Sequence, residues 1–559
     1  MASSPASASP SSPSWVVLKF GGTSVSTAAR WRCICEQVAS HLAQDDGTNV
    51  WVTISAMTQV TNKLTAALQQ ASHPVAGEPT HVELFRSIVL QHFALAYEVG
   101  LFPPLDGGSS VDHHDRWQAK WLRSTLGDDS FAPVVIDTAL PTALHPLLLE
   151  FRNLYRILEG VKLTEEASPR IQARVLAFGE LLSTHLGVCI MQHFGLSDVQ
   201  RVDARQLLVS ESSTAKSDDD RFLQAQVLPR EDIASAVAAS QNRRVVLTQG
   251  FIGSTKDGAT CVLGRGGSDT SGSLFAALLR AKRYEIWTDV HGMFTSDPRY
   301  VPDARLIKSL DYREAQELAA MGAKVLHPRC IEPAQFAQIP VEIRNTNDPN
   351  GEKTVIQPSR DQDSGSPKIL AVVRRANMTT LSITAFDMCG TSGFLSKVFA
   401  PFERFGISVD LIATSQFSVT VTLDHIPGGV NGEPFKNLLR ELDAHSKVQV
   451  FESCSVVSIV GRRLRKSLAE LGRVFDVLEG YDVLLLSESA EDLNLSFVLQ
   501  QKNADEIVAR MHKYFFSSAE TAPERLLSGA GGVTAAIRRT SSRDSLLGPT
   551  WQTLRSSGE

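Results

Sequence analysis

The strongest constraint on the fold is a short apolar run that ends abruptly in glycine and hydroxyl residues. The stretch WVVLKFGGTSVS starts at Trp15 and passes through Lys19 to the pair Gly21 and Gly22. An apolar run this short, followed by glycines, predicts a core strand that ends in a tight turn. Paired glycines let backbone N–H groups approach a ligand closely, and a neighbouring lysine adds a positive charge. The stretch therefore predicts a phosphate-binding turn.

The same arrangement of an apolar run and a polar turn recurs further along the chain. It is seen in VWVTISAM, which begins at Val50, and again in RRVVLTQGFIGS and RYEIWTDVHGMF. Strands separated by helical stretches predict a mainly parallel sheet between two layers of helices. Ligands of such α/β folds bind at the carboxyl ends of the strands, so we expect the functional site there.

Length and composition describe a soluble globular protein. The chain has 559 residues, of which 43% are hydrophobic and 21% charged, which predicts about two to four domains. A net charge of −6 gives no electrostatic reason to expect nucleic acid or an anionic membrane as a partner. We also expect no membrane span, because no apolar segment approaches the roughly 18 residues that one needs.

The cysteine and histidine patterns predict neither a disulfide framework nor a metal site. Seven cysteines are scattered along the chain, which is typical of a reducing compartment. The nearby pair Cys33 and Cys35 has no second pair or histidine cluster beside it, so we interpret it as two thiols on a helix. The stretch VDHHDRW at 111–117 is interpreted as a solvated polar loop.

Changes in composition divide the chain into segments. A polar, Ser/Pro/Gly-rich linker at 359–368 separates the α/β region from two similar αβ units, which are predicted at 369–447 and 448–518. The α/β region itself spans 15–358 and carries an irregular insertion at about 100–145. The tails at 1–14 and 519–559 have the composition of disordered segments.

Several motifs, taken together and in order, identify a family. They are KFGGTS at 19–24, SAMTQVTN at 55–62, FGE at 178–180, GRGGSDTSG at 264–272, WTDVHGMFTSDPR and GAKVLHPR. Neither a P-loop nor a strand-linked G-x-G-x-x-G motif is present. The combination resembles the amino-acid kinase family, and within it the aspartate kinases, over 15–358. The two C-terminal units look like its paired ACT domains. The resemblance implies a three-layer αβα sandwich with a mainly parallel sheet, followed by two ferredoxin-like ACT domains.

The resemblance implies a phosphoryl transfer. The γ-phosphoryl group of ATP, with Mg²⁺, would pass to the side-chain carboxylate of L-aspartate and give 4-phospho-L-aspartate. This is the first step of the pathway to lysine, threonine, methionine and isoleucine. A carboxylate is already ionised at pH 7, so the reaction needs no general base. It needs positioning of the two substrates and neutralisation of the charge on the phosphoryl group.

The resemblance also implies which residues form the site. Lys19 and Asp269 would be catalytic, with Asp269 holding Lys19 in place. Glu180 would pair with the α-ammonium group of the substrate and Arg265 with a carboxylate, and His327 is either a further candidate or a structural histidine. Phe294 stands where relatives often have tyrosine, so only stacking is implied for it. No residue is assigned as a metal ligand. The remaining implied contacts are Ser55, Thr61 and Ser268 to aspartate, and Lys19, Gly21, Gly22, Ser24, Thr288, Asp289, Phe294, Asp297, Arg299 and Lys324 to the nucleotide.

The first ACT unit is expected to bind an amino-acid effector, usually lysine or threonine in this family. Asp410 is suited to the effector's ammonium group. Gln416 stands where lysine-sensitive relatives often carry glutamate, which leaves threonine open as the effector. The residues that match effector-lining positions are Met388, Thr391, Phe394, Leu395, Ser408, Val409, Asp410, Ser415 and Gln416.

Two other functions remain open from the sequence. One is an amino-acid kinase that acts on glutamate or acetylglutamate, against which the tandem ACT units and the FGE motif argue. The other is a non-catalytic amino-acid sensor, against which the intact Lys19, Arg265 and Asp269 argue. We expect a monofunctional kinase that forms a homodimer or a higher homo-oligomer. We expect it in the cytoplasm, with plastid import not excluded.

Overall fold

The computed structural model describes residues 14–44, 47–102, 142–210, 217–229, 244–323, 325–358, 368–385, 392–467 and 471–517. A sheet of eight strands forms the centre of the α/β region at 15–358, the expected catalytic region. Neighbouring strands are parallel except β11 and β12, which are antiparallel. The predicted, mainly parallel sheet is therefore confirmed. Its strands, in spatial order, are β10 (Ser309–Leu310), β12 (Thr354–Ile356), β11 (Val341–Asn345), β9 (Arg283–Thr288), β1 (Ser14–Phe20), β2 (Thr48–Ile54), β6 (Val245–Gln249) and β3 (Val199–Val202).

Helices pack on both faces of this sheet. Consecutive residues of a strand point to opposite faces. Tyr284 of β9 donates its hydroxyl to the Asp269 carbonyl, and the next residue, Glu285, pairs with His41 on the other face. The helices of this region are α1 (Ala28–Gln44), α2 (Val60–Ser72), α3 (His81–Val99), α4 (His145–Thr164), α5 (Pro169–His193), α6 (Ala204–Leu207), α7 (Asp218–Phe222), α8 (Gly267–Leu278), α9 (Tyr312–Met321) and α10 (Ile331–Phe336).

A smaller sheet of four strands lies within the same region. Its spatial order is β5 (Val227–Pro229), β4 (Leu208–Ser210), β7 (Ile252–Thr255) and β8 (Thr260–Val262). Strand β7 follows the central strand β6 almost directly, so the two sheets are joined by the short turn at Gly250 and Phe251. This turn brings Phe251 to the edge of the candidate site described below.

Helix α5 corrects one expectation from the sequence. Within the described residues it is the one helix long and apolar enough, by length and composition alone, to cross a membrane. Of its most apolar 18-residue window, 78% is buried inside the protein. The sequence suggested that no segment was this apolar. An apolar surface on nearly every side is typical of a helix that neighbouring elements bury, as they do α5.

The two C-terminal units share one antiparallel sheet of six strands. Its order is β14 (Ile412–Thr414), β15 (Ser418–Leu423), β13 (Lys368–Thr384), β16 (Lys447–Arg462), β18 (Asn494–Gln500) and β17 (Leu485–Glu488). The helices are α11 (Phe394–Arg404), α12 (Glu433–Asp443), α13 (Val474–Val477) and α14 (Gln501–Phe516).

The two long strands β13 and β16 run through both units. They pair along their whole length, with irregular register between Arg375 and Thr380. The second half of β13 also pairs with β15, and the second half of β16 with β18. Each ferredoxin-like unit therefore takes one half of each long strand. The division near residue 447 proposed from the sequence stays a prediction.

The hydrophobic core of the catalytic region extends into these C-terminal strands. Leu370, Ala371 and Val373 of β13 and Val460 of β16 belong to the same buried cluster as the central strands. The first C-terminal unit has a core of its own, which includes Phe402 and Phe435. The described residues up to Phe515 accordingly form one compact unit.

Four groups of predictions lie outside the described residues. They are most of the tails and the linker, most of the insertion with its VDHHDRW stretch, the nucleotide residue Lys324, and the effector residues Met388 and Thr391.

Candidate active site

A cavity of about 300 Å³ opens at the carboxyl ends of strands β1, β2 and β6. This is the position expected for a ligand site in a parallel α/β fold. Its lining includes the charged pair Lys19 and Asp269 and one buried acid, Glu180. The complete lining is Lys19, Ser55, Ala56, Thr61, Glu180, Phe251, Gly264, Gly266, Gly267, Ser268 and Asp269.

Lys19 and Asp269 form an ion pair in this cavity. The Lys19 Nζ lies 2.5 Å from the Asp269 Oδ1, and the two side chains are only 11% and 14% exposed. Lys19 is the penultimate residue of β1, and Asp269 lies in the first turn of α8. The strand and the helix are far apart in sequence, so this contact depends on the packing of α8 against β1. The structure thus brings together the two residues predicted to be catalytic.

The first turn of α8 presents its backbone N–H groups without a capping side chain. Gly266 precedes the helix with φ of +68° and no side chain caps it. A Cβ atom at Gly266 would overlap His327, and one at Gly267 would lie 2.8 Å from the Phe251 ring. Glycine is therefore required at this turn, both for its backbone conformation and for the close packing. Uncapped N–H groups at a helix start, beside Lys19, suit an anionic group.

The glycine turn after β1 lies against the turn after β2. A Cβ atom at Gly22 would come within 2.6 Å of the Ala56 carbonyl oxygen, and the Ser55 N–H donates to the Phe20 carbonyl (3.2 Å). Ser24 is buried, and its hydroxyl hydrogen-bonds Thr346 (2.8 Å) instead of lining the cavity. Gly21 and Gly22 also stay outside the cavity lining, although a Cβ atom at Gly21 would lie only 3.7 Å from the Lys19 Nζ.

Glu180 is a buried carboxyl group in the cavity lining. It lies in the middle of α5, is 3% exposed, and accepts a hydrogen bond from the Ala56 N–H at 3.1 Å through Oε1. Its second oxygen, Oε2, is buried and has no hydrogen-bond partner in the structure. Burial raises the pKa of Glu180 from 4.5 to about 8. A carboxyl group in this state is prepared to receive a cationic ligand group, which would restore its charge.

Three of the other predicted substrate residues line the cavity, and one does not. Ser55, Thr61 and Ser268 are part of the lining. Thr61 lies in the first turn of α2, where Gln59 before the helix has φ of +67°. Arg265 lies between two lining glycines, but its side chain is exposed and does not line the cavity. Its contact with a substrate carboxylate stays a prediction.

The predicted nucleotide residues lie beyond the cavity, after strand β9. Thr288 ends β9 and donates its hydroxyl to Asp289 (3.2 Å). Further along, the guanidinium of Arg299 pairs with both carboxylate oxygens of Asp297, with a shortest distance of 2.6 Å. Phe294 is half-buried. These residues follow a strand next to β1, at the same edge of the sheet, but none of them is part of the cavity lining.

His327 has a structural partner in this conformation. Its Nδ1 accepts a hydrogen bond from the Arg329 N–H at 3.3 Å, and it caps the short helix Pro328–Cys330. Burial lowers its pKa. It packs against Gly266 and does not line the cavity.

The predicted effector residues lie around the start of α11 and the β14–β15 hairpin. Asp410 forms an ion pair with Arg375 of β13, and its carboxylate also accepts a long hydrogen bond from Thr422 (3.5 Å). Phe394 and Val409 pack against the core of the first C-terminal unit. The exposed members of the set are Leu395, Ser408, Ser415 and Gln416. The carboxylate predicted for an effector's ammonium group is thus occupied by a guanidinium of the same chain.

Several residues that shape the cavity were not predicted from the sequence. Ala56 and Phe251 line the cavity and closely follow apolar runs that were predicted as strands. Their position at a strand end could therefore have predicted their place in the site. Ser183 accepts a hydrogen bond from the Met57 N–H (3.1 Å) and thereby holds the β2 turn against α5. It lies three residues after Glu180, and no pattern in the sequence marks it.

A metal ion would have few protein ligands here. Among the described residues there is no group of three or more His, Cys, Asp or Glu side chains that could hold one. The carboxylates in the cavity lining are Glu180 and Asp269, and Asp269 is already paired with Lys19. This donor set fits Mg²⁺ that is bound chiefly by substrate phosphates, as is usual for this ion.

Comparison with known proteins places this geometry in a family. The family model described as "Amino acid kinase family" matches residues 14–345. The chain is 35% identical over 376 residues to the lysine-sensitive aspartokinase 3 of Escherichia coli, covering 65% of this chain and 81% of that protein. It is 30% identical over 518 residues to the chloroplastic aspartokinase 2 of Arabidopsis thaliana, covering 90% and 84% respectively.

Solved structures of the E. coli protein agree with this assignment. Its complex with aspartate and ADP, in the R-state, superposes with a TM-score of 0.68 at 31% identity. The comparison covers 90% of this chain and 99% of that one. Its complex with lysine and aspartate, in the T-state, gives a TM-score of 0.63 at the same identity and coverage. The chain therefore belongs to the amino acid kinase family, and within that family to the aspartokinases.

Proposed function

We propose that the protein is an aspartate kinase, which transfers the γ-phosphoryl group of ATP to the side-chain carboxylate of L-aspartate. The observation that carries this proposal is the presence of two opposite charge-binding features in one cavity. Glu180 offers an unpartnered buried oxygen, and Lys19 with the start of α8 offers positive charge. Membership of the aspartokinases supports aspartate as the occupant.

The cavity separates the charges of aspartate by their sign. The α-ammonium group would pair with Glu180, and Ser55, Thr61 and Ser268 would donate hydrogen bonds to the carboxylates. Arg265 would close over a carboxylate from the exposed side. This arrangement directs the side-chain carboxylate toward Lys19, where the γ-phosphate would lie.

The chemical step needs no proton transfer. A carboxylate oxygen forms the new bond to the γ-phosphorus, the bond from the γ-phosphorus to the β,γ-bridging oxygen breaks, and ADP leaves with that oxygen. Lys19 and the N–H groups in the uncapped first turn of α8 would neutralise charge on the phosphoryl oxygens. Asp269 fixes the position of the Lys19 ammonium group, to which it is paired at 2.5 Å. Mg²⁺ bound by the nucleotide phosphates would supply further charge neutralisation.

The nucleotide would extend from the Gly21–Gly22 turn along the segment that follows β9. Thr288, Asp289, Phe294, Asp297 and Arg299 would contact it there. The roles of Ser24 and Lys324 also remain part of the proposal, with Ser24 acting through its bond to Thr346.

We further propose feedback inhibition by lysine or threonine at the first ACT unit, in a homodimer or a higher homo-oligomer. The E. coli relative is lysine-sensitive and binds lysine in its T-state structure. The cytoplasmic location, with plastid import as the alternative, is also a proposal; one of the relatives is chloroplastic.

An ATP-dependent hydroxamate assay with aspartate tests the proposed function. We expect hydroxamate formation that requires both ATP and aspartate and disappears in Lys19→Ala. Glutamate and acetylglutamate serve as competing acceptors, and turnover with either but not with aspartate would replace the proposal. Absence of turnover with all three acceptors would indicate a non-catalytic sensor. The same assay with added lysine or threonine tests the feedback inhibition.

A further inference from the structure

A two-stranded ribbon at residues 293–307 carries three of the predicted nucleotide contacts. The Thr295 N–H donates to the Arg305 carbonyl (2.9 Å), and the Ile307 N–H donates to the Met293 carbonyl (2.8 Å). The turn of the ribbon is formed by Asp297, whose carbonyl accepts from the Tyr300 N–H (3.1 Å). A two-stranded ribbon is marginally stable alone, so its position depends on what it packs against.

The ribbon is held by the C-terminal strands and the last helix. The Val372 N–H of β13 donates to the Thr295 carbonyl at 2.8 Å. The Thr295 hydroxyl also hydrogen-bonds the buried His512 Nε2 of α14, again at 2.8 Å. These contacts hold the base of the ribbon. The turn of the ribbon is contacted by a third residue of the C-terminal region.

That third contact is made by Arg374. Its guanidinium carbon lies 4.3 Å from the centre of the Tyr300 ring, and its Nε forms an ion pair of 2.5 Å with Asp505 of α14. The Arg374 side chain is 13% exposed. A partly desolvated guanidinium stacked on a ring gives a directional attraction that a flexible ammonium group reproduces poorly.

The backbone of Arg374 touches a second part of the catalytic region. A Cβ atom at Gly322, at the end of α9, would overlap the Arg374 carbonyl. Arg374 therefore has neighbours on three sides: its backbone packs against Gly322 at the end of α9 and pairs with β16, and its side chain pairs with Asp505. A residue held this firmly can define the position of the ring it contacts.

We propose that Arg374 is a positioning residue for nucleotide binding, which acts through Tyr300 to hold the turn that contains Asp297 and Arg299. This inference rests on the proposed kinase function, because it takes the ribbon as the nucleotide-binding segment. It assigns part of the basal nucleotide site to the C-terminal region of the chain, independently of any effector.

The test uses the full-length protein with the substitutions Arg374→Lys and Tyr300→Leu. Arg374→Lys keeps the charge beside Asp505 and removes the planar group, whereas Tyr300→Leu removes a ring that is 45% exposed. We expect each to raise the KM for ATP by about 3- to 20-fold, with kcat and the KM for aspartate changed less than about twofold. The double variant should be no worse than Tyr300→Leu alone, because Tyr300→Leu already removes the contact with Arg374, together with the longer contact of the ring with Arg299 (5.8 Å).

The control is Arg404→Lys, which alters another arginine paired to a carboxylate, Glu441, on the surface of the first C-terminal unit. It should leave the KM for ATP unchanged. Urea unfolding of each variant shows whether the fold is retained. If Arg374→Lys does not fold, the KM for ATP of Tyr300→Leu decides the test. An unchanged KM for ATP in folded Tyr300→Leu would overturn the proposal. An equal rise of the KM for ATP and the KM for aspartate would also overturn it, because that result would indicate a general destabilisation of the active site.

Calorimetric binding of ADP without aspartate separates this proposal from the proposed function. The dissociation constant of ADP should rise by the same factor as the KM for ATP. If the wild-type protein binds ADP but does not phosphorylate aspartate, the proposed function fails and the ADP titrations still decide the role of Arg374. If ADP binds equally well to wild type and to both variants, Arg374 has no positioning role.

Discussion

Replacing Glu180 by glutamine isolates the effect of burying one carboxyl group in the middle of helix α5. Glutamine keeps the shape of the side chain and the hydrogen bond from the Ala56 N–H, but it cannot ionise. In the wild-type protein, burial raises the pKa of Glu180 from 4.5 to about 8. The folded protein therefore retains a proton on this group over a pH range in which the unfolded chain has released it.

The pKa difference makes the stability of the ligand-free protein depend on pH. The folded state binds the extra proton, so the free energy of unfolding falls as pH rises from 4.5 towards 8 and becomes level above pH 8. Between pH 6 and pH 8 the loss amounts to about 2 kcal/mol. Glu180→Gln lacks this contribution. The difference in unfolding free energy between the wild type and Glu180→Gln should therefore change by about 2 kcal/mol between pH 6 and pH 8.

The same proton affects the binding of aspartate. An ammonium group pairs with the ionised form of Glu180, so kcat/KM for aspartate should rise with pH, approaching tenfold per unit below the pKa of about 8. Glu180→Gln should raise the KM for aspartate by about 100-fold and remove this slope.

Urea unfolding at pH 6, 7 and 8 provides the measurement. Glu433→Gln, on the exposed surface of α12, is the control and should follow the wild-type pH dependence. If the unfolding free energies of wild type and Glu180→Gln stay parallel from pH 6 to pH 8, Glu180 is ionised in the folded protein. Burial would then not keep the Glu180 carboxyl group protonated.

Three further substitutions test other parts of the structure. Lys19→Ala should lower kcat by about 1,000-fold, because it removes the cation beside the phosphoryl group; steady-state kinetics measures this. Gly266→Ala should destabilise the protein by about 3 kcal/mol, because its φ is +68° and the added Cβ overlaps a neighbouring side chain; urea unfolding measures this. Arg375→Met should free Asp410 and lower the inhibitory concentration of lysine or threonine about two- to fivefold, as read from inhibition curves.

Each of these has a result that would contradict it. Unchanged kcat in Lys19→Ala would remove the lysine from the mechanism. Gly77→Ala is the control for Gly266→Ala, because Gly77 has φ of +89° with open space around it, and it should cost only about 1 kcal/mol. Equal losses at the two glycines would show that only backbone conformation matters. Weaker inhibition in Arg375→Met would mean that the arginine orients Asp410 for the effector instead of competing with it.

The cavity at the strand ends was predictable because its signals are local. Lys19 and the glycines after it form one continuous stretch, and an apolar run followed by glycines predicts a strand and a turn with few alternatives. The structure places Asp269 in the first turn of α8. The ion pair of Lys19 with Asp269 was inferred from the family resemblance, and the structure contains it.

Two features depended on packing between distant segments and were not predictable in the same way. Asp410 was predicted to bind the effector's ammonium group because it matches an effector position of the family, but nothing in the surrounding sequence indicates that Arg375 neutralises it. The contact of Arg374 with Tyr300 joins two regions that composition had divided into separate domains. Both contacts arise because strand β13 passes between the catalytic region and the first C-terminal unit.

The amino-acid sequence by itself determined the order of strands and turns, the chemical groups at the strand ends and the family to which the chain belongs. Those properties follow from short-range patterns of apolar, glycine and charged residues. The tertiary structure alone decided which charges are neutralised and which carboxyl group stays protonated. Burial and ion pairing are set by atoms that come from remote parts of the chain. Glu180 shows this most clearly, since its burial raises its pKa although the Ala56 N–H donates a hydrogen bond to it.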